Sequence, residues 1–240
     1  MLYDIWTVAW KEWREFLGQR STLLGMAIFV GIFAVVVPYQ RGAQWVESPL
    51  GVANLVFFPL FLVLTVIADA FAGERERHTL DTLLASRLPD GALLYGKVVA
   101  AVAYGWGLTL VALVVALLAA SAAAGEGLLT YSPRLALGAT GFSLLGILLV
   151  TGGGILVSLR AATVRQAQQT LNVGLLVVGL AGVAVLATLP ESWLDRIRDF
   201  TENSSDTELL ALGALVLLLL NVLVYTITMA RFRRSRLVLD

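Results

Sequence analysis

Cysteine is missing from the whole sequence, which removes disulfides, thiolate metal sites and thiol catalysis together. Histidine occurs once, at His78, too few for a multi-histidine metal centre within one copy. Charge is scarce: Asp, Glu, Lys and Arg make up 14% of the 240 residues, where soluble domains carry roughly a quarter. What charge there is cancels, 17 basic against 17 acidic residues, so the basic footprint of a nucleic-acid partner is absent. Ionisable groups are rarer still inside the long apolar runs, where each costs at least ~2.5–3.5 kcal/mol. Asp69 is the single one, close enough to the end of its run to pair with Arg75 or Arg77. That scarcity leaves no buried acid or histidine relay for a proton-driven carrier.

Apolar residues fill the space instead, at 58% of the chain, with a mean hydropathy of +0.84. Apolar runs of 18 or more residues read as membrane spans. They are continuous rather than alternating, so helices are expected and not a barrel. The expected fold is all-α, a single polytopic transmembrane domain over 1–240. Its six spans lie at about 21–38, 50–72, 98–118, 135–156, 170–189 and 209–230. Residues 2–19 precede them as an interfacial helix. Trp6, Trp10, Trp13 and Leu17 fall on one face beside Ile5, Ala9 and Phe16, with Lys11, Arg14 and Glu15 opposite. Val8 is the residue that does not fit that wheel. The stretch is not expected to be a signal peptide, because its charged region is too long and no small-residue cleavage site follows.

The basic residues orient the chain. With both termini in the cytoplasm, 13 of the 17 Lys and Arg fall on the cytoplasmic side, and Arg41, Arg134, Arg196 and Arg198 fall outside. Residues 190–208 then form an external segment, read as a short helix on the membrane or a solvated loop. Ser192 is its candidate N-cap, and Trp193, Ile197 and Phe200 share a face. Asn54, Asn172 and Asn221 are expected to hydrogen-bond between helices. Gly105, Gly107, Gly138, Gly141, Gly146 and Gly152–Gly154 are expected to let helices pack closely, with a flexible wall of a moving pathway as the alternative.

One charged interruption stands out, the cytoplasmic stretch 73–97. Glu74, Arg75, Glu76, Arg77 and His78 follow an apolar run directly, and Leu80, Leu83, Leu84 and Leu88 then recur on one helical face. Pro89-Asp90-Gly91 reads as a turn. Gly91 through Lys97 matches G-x-x-x-x-G-K, most of a phosphate-binding loop, but residue 98 is Val where Mg²⁺ needs Ser or Thr, and no strand precedes it. Lys97 reads instead as a cation snorkelling at the start of a span. Nucleotide hydrolysis is therefore expected on another chain.

Glu74-Arg75-Glu76, then Thr79-Leu80-Asp81, Leu83-Leu84, a Pro turn and Gly96-Lys97, closely resembles the first cytoplasmic loop of type-2 ATP-binding-cassette permeases. Asp81 replaces a usual Glu, Asp90 follows the turn, and His78 stands where a small residue is commoner. Val157-Ser158 through Gln166-Ala167-Gln168 is similar to that family's second cytoplasmic turn. The resemblance implies that 73–97 is a coupling helix docking on an ATPase subunit through Glu74, Arg75, Glu76, Thr79, Leu80, Leu83 and Leu84. It further implies a second permease copy, ATP and Mg²⁺ on the partner with no cofactor in this chain, and export across a prokaryotic plasma membrane. Membrane lipids are the other partner. The rival readings are an intramembrane hydrolase using Glu74, Glu76 and His78, or a membrane anchor that transports nothing.

Overall fold

The computed structural model describes residues 1–79, 85, 87–125 and 127–232, apart from the side chains of 186, 197, 198 and 200–202. Every regular element among them is a helix. Helix α1 spans Leu2–Gly18. After it come α2 (Arg20–Arg41), α3 (Ala43–Glu47), α4 (Pro49–Glu76) and α5 (Asp90–Ala124). Then follow α6 (Pro133–Ser158), α7 (Val164–Thr188), α8 (Glu191–Asn203) and α9 (Asp206–Arg231). Six of them, α2, α4, α5, α6, α7 and α9, are long and apolar enough to cross a bilayer.

Local chemistry sets where these helices begin. Ser48 and Ser132 each precede a Pro, and their hydroxyls accept from the amides of Gly51 and Leu135. Serine at the N-cap satisfies an orphan amide, and Pro at the next position has none to satisfy. Ser205 and Glu208 complete a reciprocal capping box at α9. Helices run past the spans that hydropathy marks, because backbone bonding continues where the apolar run stops. At 35 residues α5 is about 50 Å long, well beyond a ~30 Å hydrocarbon core. Its first two turns, Asp90 through Lys97, belong to the stretch expected as loop. Pro89 does not close a separate turn: its carbonyl accepts from Ala92 and Leu93 and starts α5.

The core is the α4–α5–α6 triplet, against which α1, α2 and α9 pack. Glycines allow the closest approaches. A Cβ on Gly105 or Gly154 would lie 2.3 Å from Val63 or Ile67, and one on Gly152 would lie 2.8 Å from Val224. Gly107, Gly141 and Gly153 meet nothing, so close packing explains only some of the glycines. Asn221 donates across to the Leu145 carbonyl of α6, as an interhelical asparagine should, whereas Asn54 bonds within its own helix. Asn172 is exposed.

Both described termini lie at the end of the bundle where α4 finishes. Phe232 meets the ring of Phe71 there, and Met1 lies beside Gly91. This is the loop end; the other is the far end. Helix α1 lies against α5 with Val8, Ala9, Glu12 and Phe16 buried, while Trp6 and Trp10 stay exposed. Val8 breaks the tryptophan pattern because it faces protein: it fills the space over Gly96, where any Cβ would sit 2.5 Å from it. At the far end α8 starts at Glu191, so Ser192 is inside the helix and is not its N-cap. The Pro190 carbonyl accepts from Trp193 and Leu194 in its place. Trp193 is exposed under the Arg196 guanidinium, and the side chains of Ile197 and Phe200 lie outside the description.

Candidate functional site

The last turn of α4 carries Glu74, Arg75 and Glu76, and the way it ends fixes where they point. The amide of His78 donates to the Arg75 carbonyl and that of Thr79 to the Glu74 carbonyl. Those two bonds form a Schellman closure, which requires a left-handed residue just past the helix. His78 is that residue, at φ 57°. Glycine is the usual occupant of such a position, which accounts for why a small residue is commoner there, while the histidine carries the strain.

Glu74 turns inward. It is 5% exposed, and its carboxylate accepts from Lys11 Nζ at 2.7 Å and from the Thr79 hydroxyl. Lys97 Nζ lies 3.7 Å from the same carboxylate and 2.6 Å from Glu12 Oε1, with Lys97 and Glu12 both buried. Lys11 also meets Glu12 at 3.3 Å and Glu15 at 3.1 Å. Burial by itself lowers the pKa of the Lys11 ammonium, but Glu12, Glu74 and Glu15 outweigh it and hold the group above its ordinary value. The Phe71 ring lies 5.3 Å from Lys97 Nζ. Snorkelling is thus the wrong description of Lys97. With α1 laid over it the side chain has no route to water, and Glu12 compensates its charge in place.

Arg75 and Glu76 reach a different element. The Arg75 guanidinium donates to the carbonyls of Leu159, at 2.9 Å, and Ala161, in the turn between α6 and α7. Glu76 accepts from the Val164 amide at 3.0 Å, where α7 starts and its dipole favours an anion. Ser158 fastens the same corner from below. Its hydroxyl accepts from the amides of Phe71 and Ala72 and donates to the Ala68 carbonyl. Arg77 pairs with Asp69 at 3.1 Å, so of the two candidate partners for Asp69 it is Arg77 that takes the role. The three residues Glu74-Arg75-Glu76 therefore grip α1 and α5 on one side and the α6–α7 turn on the other.

Of the residues read as partner contacts, Glu76 and Thr79 are exposed and Arg75 is half-buried. Glu74 is enclosed, so within this chain it braces the loop from inside. Leu80, Leu83 and Leu84 lie outside the described residues. Leu88 packs against the core. Glu74, Glu76 and His78 do not converge: one carboxylate faces Lys11, the other an amide of α7, and the histidine closes the helix. Glu12, Glu15 and Glu74 do bring carboxylate oxygens within 4.8 Å of one another, but the ammonium groups of Lys11 and Lys97 already stand among them. The arrangement is a joint of matched charges and hydrogen bonds that ties the end of α4 to α1, α5 and the α6–α7 turn.

Glu12, Lys11 and Ser158 are the residues that sequence reading missed. Glu12 had one visible signal, because Val8, Glu12 and Phe16 fall on a single i, i+4, i+8 stripe. An acid centred on an apolar stripe calls for a buried cation.

The sequence profile of a family described as ABC-2 type transporter matches residues 3–201, which takes in α1, the loop and the first five spans. No curated protein matches the chain.

Proposed function

The chain belongs to the ABC-2 type transporter family and is the permease subunit of an ABC transporter; we propose that it serves an exporter driven by a separate ATPase that docks on the 73–97 stretch. The observation that carries this reading is the joint at the base of that stretch. Three consecutive side chains tie it to α1 and α5 through Glu74, and to the α6–α7 turn through Arg75 and Glu76. A displacement applied to the loop therefore reaches four helices without crossing solvent. The ATPase contact falls to Glu76, Thr79, Leu80, Leu83 and Leu84, with the leucines as apolar anchors and the charges as an orienting rim. ATP and Mg²⁺ belong to the ATPase subunit.

A second permease copy completes the pathway in this reading. From Val173 to Val185, α7 is apolar and exposed on every side within one chain, so lipid or another subunit must cover it. The termini and the loop lie in the cytoplasm, on the side holding 13 of the 17 basic residues.

Pull-down of the ATPase subunit and transport rate, measured together, test the docking. Leu83→Ala/Leu84→Ala should release the ATPase and stop transport while the membrane fold survives, at a cost of a few kcal/mol in association. Glu76→Gln should be milder and more salt-dependent, and His78→Ala milder still. A His78→Ala variant that is inactive with its partner still bound would sink the reading in favour of a hydrolase.

A further inference from the structure

One cavity lies beside the joint and shares Ala161 with it. Between the loop-end termini of α6, α7 and α9 the structure opens a space of about 470 Å³, lined among others by Leu156, Val157, Ile227, Thr170, Arg160 and Arg231. Its inner wall is apolar and belongs to the spans. Its mouth carries two guanidinium groups at the level where α6 has ended and α9 ends. Arg160 and Arg231 are both exposed, and among the described residues neither guanidinium meets a carboxylate or a hydrogen-bond acceptor. The neighbouring polar groups are already engaged: Arg75 on the Leu159 and Ala161 carbonyls, Glu76 on the Val164 amide, and Gln166 on the Ala162 amide.

We infer that this cavity is a binding site for an anionic phospholipid, with its phosphate between Arg160 and Arg231 and its acyl chains along Leu156, Val157 and Ile227. Guanidinium presents a planar fork of donors that matches two phosphate oxygens, and it gives up its hydration more readily than an ammonium. Two unmatched cations over an apolar wall at the membrane surface are complementary to an amphiphile carrying a negative head. A soluble anion would match the mouth and leave the wall in water. The sequence continues the basic character directly after α9 with Arg233, Arg234 and Arg236, and basic clusters beside a span attract anionic lipid surfaces. The bound lipid would rest against the α6–α7 turn that Arg75 and Glu76 hold.

The test needs neither ATP nor a partner, so it stands apart from the transport reading. The full chain in neutral detergent is titrated with phosphatidylglycerol, with phosphatidylcholine of the same acyl chains, and with inorganic phosphate, reading bound lipid by native mass spectrometry and thermal unfolding in parallel. Phosphatidylglycerol alone should bind tightly and raise the unfolding temperature. R160Q or R231Q should weaken it about fivefold and the double variant about thirtyfold. R160K/R231K should retain part of the affinity, and the far-end control R41Q/R134Q all of it. Equal binding of the two lipids would overturn the proposal, as would unchanged phosphatidylglycerol affinity in a folded R160Q/R231Q protein. An unfolding shift reproduced by inorganic phosphate would assign the site to a soluble anion and overturn the lipid.

Discussion

The two ends of this bundle are built on opposite principles. At the loop end, charge is buried and matched: Lys97 lies 2.6 Å from Glu12 with both side chains almost wholly enclosed. At the far end, charge stays at the surface, where Arg134 and Asp206 approach only to 3.8 Å with most of each side chain in solvent. The far end is held by rings instead. Trp45, 1% exposed, packs over Gly51 and meets the edge of Tyr131, whose hydroxyl donates to the Leu113 carbonyl at 2.8 Å. An aromatic cluster locks a connection in place but responds weakly to direction. A buried ion pair between α1 and α5, continued to α4 through Glu74, transmits a displacement along a defined line, because separating its members in a low-dielectric site is costly. The end proposed to receive the ATPase is the end built from matched charges.

Removing one member of the buried pair should produce the largest effect. Lys97→Met leaves buried Glu12 with only the half-exposed Lys11 at 3.3 Å, so the cost should approach that of breaking a buried pair, about 3–5 kcal/mol. Unfolding in mixed micelles should show that loss, and adding Glu12→Gln should recover much of it, giving a strong coupling energy in a double-mutant cycle. The matching truncation at the far end, Arg134→Met, should stay within about 0.5 kcal/mol, as exposed pairs do. Comparable costs at the two sites would erase the contrast between the ends.

That contrast was half legible in the sequence. The six spans were readable because hydropathy alone decides them, and the Glu74-Arg75-Glu76 stretch was readable as a distinct charged break because its charges interrupt apolar runs. The pairing behind it was not. Glu12 and Lys97 are 85 positions apart in sequence, and each has an innocent local reading, one as the polar side of an interfacial helix and the other as a snorkelling cation. Only the laying of α1 on α5, signalled weakly by Val8, turns both inward. The tryptophan wheel was drawn against one surface, the membrane, whereas α1 has two, and a periodicity argument with a single buried face cannot separate them.

A smaller effect is expected from the far-end rings. Tyr131→Phe keeps the edge contact with Trp45 and deletes the hydroxyl that reaches the Leu113 carbonyl. The Leu113 carbonyl keeps its place in α5, so the loss should be about 0.5–1.5 kcal/mol, the net worth of one hydrogen bond. ATPase pull-down should be unaffected, because among the described residues no side-chain hydrogen bond or ring contact links this cluster directly to the loop. Reduced ATPase binding in a stably folded Tyr131→Phe protein would mean that the far end participates in coupling after all.

The smallest effect has an unusual sign, and it uses the one backbone feature the two ends share. Both α4 and α5 finish with a residue in the left-handed region: Gly125 at φ 69° at the far end, His78 at φ 57° at the loop end. For any residue with a Cβ that conformation is strained by roughly 1 kcal/mol, and glycine escapes it. His78→Gly should therefore stabilise the protein by about 0.5–1 kcal/mol, and Gly125→Ala should destabilise it by a similar amount. His78→Ala should be close to neutral, since alanine carries the same strain. If the histidine served only to close α4, transport by the assembled complex would survive both substitutions at position 78. Were His78 a proton carrier, His78→Gly and His78→Ala would each lose activity by orders of magnitude whatever happened to stability. Unfolding midpoints and transport rates for these three variants separate a strained helix end from a catalytic group. A stabilised but inactive His78→Gly protein would show that the loop keeps a histidine there for its chemistry, at the expense of its backbone.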